Sequence, residues 1–505
     1  MNKSRLTNIV FAGHLLFFAL VIIGVIPRSL VPYETGLLAL FLIVMPLEEG
    51  LVFFVRSIPL FIAIPLTAGY DNLNMWRIFS GIIFLKFIIS DLEFLKNLKF
   101  IRSRIAKVLL ILLGLAFLSL WNAEDPITGL KRIIYFINTA LIGIVIAHYA
   151  VREEYIKRLI KNIVVPIIIV SVVGIIQVFS TYFIDIYQFM RLWGEEIQLR
   201  LFGTEWSYIA VNLGNTWFAY YGEQLSLRVF SLFPDSHSFP IFLLLGLPAL
   251  FAWTIQKPLA KTGYWAMVRT RGLLATIWIP IALLMAILSG TRGIWAAGAG
   301  MVIWCSLIWL YFRYRADRES RNIFACLSSY LVIFFILFLV AFPIFSSPQF
   351  LLSKGDSSLF ERRIRSIIDF GETSNSQRLA IWHDSLKSIA RHPLKGIGIG
   401  NFPVVLDQDI RLARAGSSAH NLYLHIAAEM GIFALLAAIY FLWLALKRVL
   451  NHFIKSTGTF FRAYYGGLLI TLPWILAYSL TDVALFDERA LLLFVVTLGI
   501  IFSND

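Results

Sequence analysis

With 505 residues, 59% hydrophobic and 15% charged side chains, and a mean hydropathy of +0.78, the chain is excluded from the class of soluble globular domains. Its formal charge of +14 is gathered in short clusters between apolar runs, which is the pattern of loop charge that orients membrane spans; nucleic acid is not an expected partner. The two cysteines, Cys305 and Cys326, lie within or beside apolar runs and argue against a disulfide framework or a metal site.

Apolar runs recur from end to end, as at residues 6–26, 129–149, 324–345 and 484–502, each near the roughly 20 residues that cross a bilayer as a helix. They lack the alternation of barrel strands, and only helices then satisfy the backbone in lipid. The expected fold class is an all-α integral membrane protein, a polytopic bundle of about 12–14 transmembrane helices with two larger outer loops, periplasmic or extracellular. The first run follows Lys3 and Arg5 without a small-x-small cleavage site and is expected to remain as a signal anchor. Pro46, Pro59 and Pro65 predict a broken or re-entrant passage over 36–70.

Basic residues cluster at Lys96 to Lys107, Arg152 to Lys161, Lys257 to Arg271, Arg313 to Arg321 and Lys447 to Arg462. The positive-inside rule makes all five cytoplasmic, with both termini. The expected organisation is N-terminal transmembrane helices over 1–183, an outer loop over 184–236, central transmembrane helices over 237–345, a large outer loop with an amphipathic helix over 346–419, and C-terminal transmembrane helices over 420–505.

Polar islands mark the outer span ends. Lys131 and Arg132 open one span; they read either as solvated ends or as part of a basic field. Arg228-Val-Phe-Ser-Leu-Phe-Pro-Asp-Ser-His237 and Ser289-Gly-Thr-Arg292-Gly293 follow. Arg228 and Arg292 are either interfacial anchors or, because a guanidinium stays charged and donates two hydrogen bonds at once, diphosphate ligands. In the large loop, Leu379, Trp382, Leu386 and Ile389 recur at helical spacing, and His392-Pro393 ends that helix. Its simplest role is to lie on the bilayer surface or cap the bundle. Gly396-Ile-Gly398-Ile-Gly400-Asn401-Phe402 lacks the preceding strand and the lysine-serine of a phosphate loop, and reads as a tight turn. Ser417-Ser-Ala-His420-Asn421-Leu-Tyr423-Leu424 then enters a span that carries Glu429 where an ionisable group is costly. Four residues before it, His425 is a potential structural partner. By composition alone His420 reads as an interfacial histidine.

Taken in order, these segments resemble the O-antigen ligase and O-antigen polymerase superfamily: Arg228 to His237, Ser289 to Gly293, Arg378 through Pro393 to Phe402, and His420-Asn421-x-Tyr423-Leu424 through Glu429-x-Gly431. The first segment departs from the usual pattern, with Ser231, and Ser236 or His237, where a glycine and an asparagine are commonly seen. The resemblance implies a glycosyltransferase on the outer face of the bacterial inner (cytoplasmic) membrane. Its donor would be a glycan on polyprenyl diphosphate and its acceptor a glycan, lipid A core or another hydroxyl, and it would need neither cofactor nor metal. It makes His420 the general base, with Arg292 and Arg228 beside it in the catalytic set, and Arg378, Tyr423, Asn421 and Arg132 substrate-binding. Membrane lipid and envelope polysaccharide assembly proteins are the implied partners. The competing reading is a transporter or flippase of lipid-linked glycans that forms no bond. Its polar groups should line the midplane, whereas here they gather at one boundary.

Overall fold

A computed structural model describes residues 2–66, 73–91, 103–149, 152–204, 207, 217–221, 224–255, 273–315, 317–346, 348–351, 373–410 and 417–503. The basic clusters at 96–102 and 257–271 lie outside the described residues. The chain is an all-α polytopic membrane protein.

The first half runs α1 (Lys3–Ile22), α2 (Val31–Val44), α3 (Leu47–Ser57), α4 (Met75–Ser90), α5 (Arg104–Ser119), α6 (Pro126–Tyr149) and α7 (Glu153–Ser180). Two short helices, α8 (Ile186–Phe189) and α9 (Leu199–Phe202), flank a π-helical stretch, Met190–Gln198. The second half holds α10 (Ser238–Thr254), α11 (Leu273–Leu288), α12 (Arg292–Arg315), α13 (Arg318–Phe345), α14 (Thr373–Arg391), α15 (Leu422–Met430), α16 (Ile432–Lys455), α17 (Thr459–Tyr478) and α18 (Glu488–Ile501). Two antiparallel pairs of short strands, 63–64 with 73–74 and 218–221 with 224–227, and several short 3-10 helices lie between them. Among the described residues eight helices, α1, α5, α6, α7, α12, α13, α16 and α17, are long and apolar enough to cross a bilayer, and α10 and α11 are shorter apolar helices.

The prolines of the 36–70 stretch sit at its breaks: Pro46 precedes α3, and Pro59 lies in the 3-10 turn Ile58–Leu60. A proline ring blocks the hydrogen bond that would carry a helix through those positions. Buried ionisable groups of α1–α3 find partners inside the bundle, as expected where hydrocarbon leaves them no water. Glu49 meets Arg158 at 2.7 Å and accepts from Thr7 at 2.7 Å, and His14 meets Glu34 at 2.8 Å.

At the centre α10 packs along α17, and both are buried over almost their full length. The outer helices turn large apolar side chains outward, the reverse of a soluble bundle. On α16, Phe433, Leu436, Tyr440 and Trp443 are exposed at three- and four-residue spacing, while Ala434, Phe441, Ala445 and Val449 face inward.

At one end of the bundle, α14 is docked by the glycine-rich segment that follows it. Gly396, Gly398 and Gly400 all have positive φ, so the chain doubles back tightly, as only glycine does without strain. Ile397 N–H donates to Ala428 O and Gly398 N–H to Glu429 O. On its other side Asn122 donates to Gly396 O, and Asn401 accepts from Asp125 N–H. The segment thus ties the α5–α6 turn to the bend at Gly431 between α15 and α16, where Ile432 N–H donates to Pro393 O.

Candidate functional site

Four turns converge at that end: 228–237 before α10, 289–292 between α11 and α12, 417–421 before α15, and 479–487 between α17 and α18. Hydrogen bonds join them directly. Val229 N–H donates to Leu288 O, Thr291 Oγ1 to Ser236 O at 2.9 Å, and Leu422 N–H to Ser479 O at 2.8 Å.

Gln177 of α7 sets the first turn. Its Oε1 accepts from both Phe230 N–H and Ser231 N–H at 2.9 Å. Ser231 has a φ of 52°, the left-handed region that side chains disfavour and glycine adopts freely. Here its Oγ donates to Val170 O at 2.7 Å. Asp235 then accepts from His237 N–H and Ser238 N–H, at 2.7 and 2.9 Å, and so starts α10.

The side chains that meet are Arg228, His237, Asp482 and His420. Arg228 lies within 3.2 Å of His237 Nε2, and His237 Nδ1 is 3.0 Å from Asp482 Oδ2 and 3.1 Å from the Tyr478 hydroxyl. The other carboxylate oxygen of Asp482 is fixed by Val483 N–H and Ala484 N–H, at 2.8 and 3.1 Å. On the same side His420 Nδ1 stands 4.0 Å from Asp482 Oδ2 and makes no hydrogen bond. The backbone of His420 is itself held at a φ of 43°, a conformation that costs about 1–3 kcal/mol and persists only where its surroundings enforce it.

Burial pulls the His420 imidazole below its ordinary value; Asp482 pushes it back up, while Arg378, His237 and His425 push it down. The net direction, downward, favours the neutral imidazole at pH 7. Burial would raise Asp482, yet His237, His420 and Arg378 hold it well below the usual carboxylate range, so it stays ionised. Asp487 moves the other way: burial and the neighbouring Asp235 and Asp482 raise it, with Asp235 as its hydrogen-bond partner. Two carboxylates in contact away from water cannot both carry charge.

Arg378 lies on α14 one turn from Trp382, whose indole donates to Ala419 O at 3.0 Å, and its charge reaches both His420 and Asp482. The buried face of α14 carries Ile381, Ser385 and Ile389 against Phe402, Ala419 and Ala428, while Leu379 and Leu386 are exposed. The apolar stripe read from the sequence is therefore split between the bundle and the outside, as suits a helix at the edge of a membrane protein. Arg292 begins α12 beside the 478–481 turn, because a side chain on the next residue, Gly293, would strike Thr481 Oγ1 at 2.3 Å. Arg132 stacks on Tyr135 and Phe136 at 5.2 and 5.1 Å. Its charge reaches His425 and Asp487 rather than His420.

Two expected site residues have their polar atoms engaged in structure. Asn421 Oδ1 accepts from Tyr423 N–H and Leu424 N–H and caps α15. The Tyr423 hydroxyl donates to Leu476 O at 2.9 Å. Both fix the helix that follows His420. Glu429 accepts from Phe402 N–H at 3.2 Å and lies 3.5 Å from His425, so it secures the glycine-rich segment. Sequence reasoning missed Asp482 and Asp487, and saw His237 only as a departure from a pattern. The signal available for Asp482 was a carboxylate in a short turn between apolar spans.

Residues 277–439 match the family model described as O-antigen ligase. No curated protein matches the chain.

Proposed function

We infer, from the match of residues 277–439 to the family model described as O-antigen ligase, a membrane glycosyltransferase that moves a glycan from a polyprenyl diphosphate carrier to an acceptor hydroxyl. The observation that supports it most is the His420 imidazole: unbonded at Nδ1, backed by the ionised Asp482 at 4.0 Å, and sharing that carboxylate with the His237 that touches Arg228.

In this reading His420 takes the proton of the acceptor hydroxyl through Nε2. The freed oxygen attacks the anomeric carbon, the bond from that carbon to the diphosphate breaks, and the polyprenyl diphosphate leaves with the bonding electron pair. Asp482 stabilises the imidazolium that forms, as a buried carboxylate does behind a catalytic histidine. Arg228 and Arg292 hold the charge on the departing diphosphate, and Arg378 adds to the field over His420. Arg132 lies further along the same end of the bundle and suits the carrier or the growing glycan. No step draws on a metal or nucleotide.

The face is inferred from charge. The His420 end is opposite the ends of α12, α16 and α7 that carry Arg313 and Arg315, Lys447 and Arg448, and Arg152 and Arg158. By the positive-inside rule His420 then faces the periplasm or exterior.

The test is to reconstitute the purified protein with a lipid-linked repeat unit and resolve the products by size. A ladder of lengthening glycans identifies a polymerase, and transfer only to an added lipid or protein acceptor identifies a ligase. Absence of bond formation with every acceptor overturns the reading and returns the transporter.

A further inference from the structure

We propose that His237 is the positioning residue that joins the two halves of this site, fixing the carboxylate behind His420 through Nδ1 and aiming the Arg228 guanidinium through Nε2. The proposal rests on the glycosyl-transfer reading above and deepens it.

The tautomer follows from donor chemistry. A guanidinium only donates, so the 3.2 Å contact with Arg228 requires a lone pair on His237 Nε2. The ring proton then sits on Nδ1, which faces Asp482 Oδ2 at 3.0 Å, with the Tyr478 hydroxyl at 3.1 Å. The imidazole is then bonded on both edges. Being rigid and planar, it sets the separation between the Asp482 carboxylate and the Arg228 guanidinium, which two flexible side chains do not set for themselves.

His237 is itself held in place. Its backbone N–H donates to Asp235, and the helix that it opens is buried at the core of the bundle. Arg228 has a further backbone contact with Ser289 O at 3.4 Å, so the imidazole and that carbonyl both bear on the direction of its fork. His420 approaches the same carboxylate oxygen that His237 engages. One oxygen thus answers to two imidazoles, of which one is fully bonded and the other has Nδ1 unbonded. This assigns the binding half of the site and the proton-transfer half to opposite edges of a single ring.

Two amide variants separate those edges. The Asn side chain places its amide near the position of Nδ1, and that of Gln reaches the position of Nε2. His237→Asn therefore keeps a donor to Asp482 and loses the acceptor for Arg228. His237→Gln keeps the acceptor and loses the donor. In the full-length protein, His237→Asn is expected to raise the donor KM about tenfold with kcat held, and His237→Gln to lower kcat about tenfold with KM held, each being the loss of one charge-assisted hydrogen bond. Binding of sugar-free polyprenyl diphosphate to the protein in nanodiscs, which needs no turnover, is expected to weaken in the Asn variant alone. Thermal unfolding of both variants is measured alongside.

If the two amides change KM and kcat alike, or leave both unchanged, the positioning role is overturned. Equal binding of the diphosphate by both variants overturns the Arg228 half of it. A wild-type protein that binds the diphosphate and forms no glycosidic bond instead sinks the transfer reading, while the binding comparison still decides what His237 does to Arg228.

Discussion

His420 and Asp482 face each other across 4.0 Å, a gap that a small turn of the imidazole would close into a hydrogen bond. Asp482→Asn keeps the shape and removes the charge. It is expected to lower kcat by about 10²–10⁴-fold, as loss of the orienting carboxylate does in histidine-based catalysis, while binding of polyprenyl diphosphate is retained. Single-turnover assays beside a binding assay check this; a near-normal rate contradicts the role given to Asp482.

The pH dependence follows from the lowered His420. Only the neutral imidazole accepts a proton, and burial places its titration below the ordinary 6.5. Activity should therefore rise with pH through an acid limb whose midpoint lies below 6.5. Asp482 works against that shift, so in the residual activity of Asp482→Asn the limb should move further to acid. A pH–rate profile with its limb above neutrality does not fit a buried His420 base.

Glu429 is expected to matter for stability rather than for chemistry. Replacing it with Ala leaves Phe402 N–H buried without its acceptor, a loss of about 1–3 kcal/mol. The melting temperature in detergent should fall, with diphosphate affinity per folded molecule little changed.

The bend between α15 and α16 makes a sharper claim. Gly431 has a φ of 85°, and a Cβ there would lie 2.4 Å from Leu394 O. Gly431→Ala should destabilise the fold by several kcal/mol, because neither the backbone angle nor the facing carbonyl gives way. Gly300→Ala, with open space beside it, is the matched control and should melt like the wild type.

Ser231→Val tests the first turn. A β-branched residue at a φ of 52° is strained, and the bond to Val170 O is lost as well. A destabilisation of about 2–4 kcal/mol is expected, whereas Ser231→Gly trades one hydrogen bond for a relaxed backbone and should change stability much less. Equal melting of the two variants argues against strain at this turn.

The membrane class was legible because hydrocarbon permits so few solutions, and apolar length alone reports it. Arg228, Arg292 and His420 stand out in the sequence as candidates because each lies where an apolar run stops, in segments whose order resembles a known family. Asp482 was not, since a lone carboxylate between two spans looks like any loop charge, and its value lies in contacts to His237 and His420 from distant parts of the chain. The role of His237 was hidden for the same reason. The register of α14 misled because an apolar residue beside lipid gains as much by facing out as in, so Leu379 and Leu386 carry the same pattern as Ile381 and Ile389 without sharing their direction. Asn421 and Tyr423 stand out in the sequence as polar residues beside His420, and only geometry adds that Asn421 caps α15 and that the Tyr423 hydroxyl meets Leu476 O.

The stretch matched as an O-antigen ligase domain, 277–439, contains Arg292, Arg378 and His420, yet Asp482, His237 and Arg228 all lie outside it. The constellation is therefore not portable. A chimera that exchanges 277–439 between two relatives takes His420 from one parent and Asp482, His237 and Arg228 from the other. Such exchanges should succeed only between parents whose 228–237 and 479–487 turns already agree, which makes those two short turns, rather than the long matched stretch, the units that must travel together when specificity is recombined.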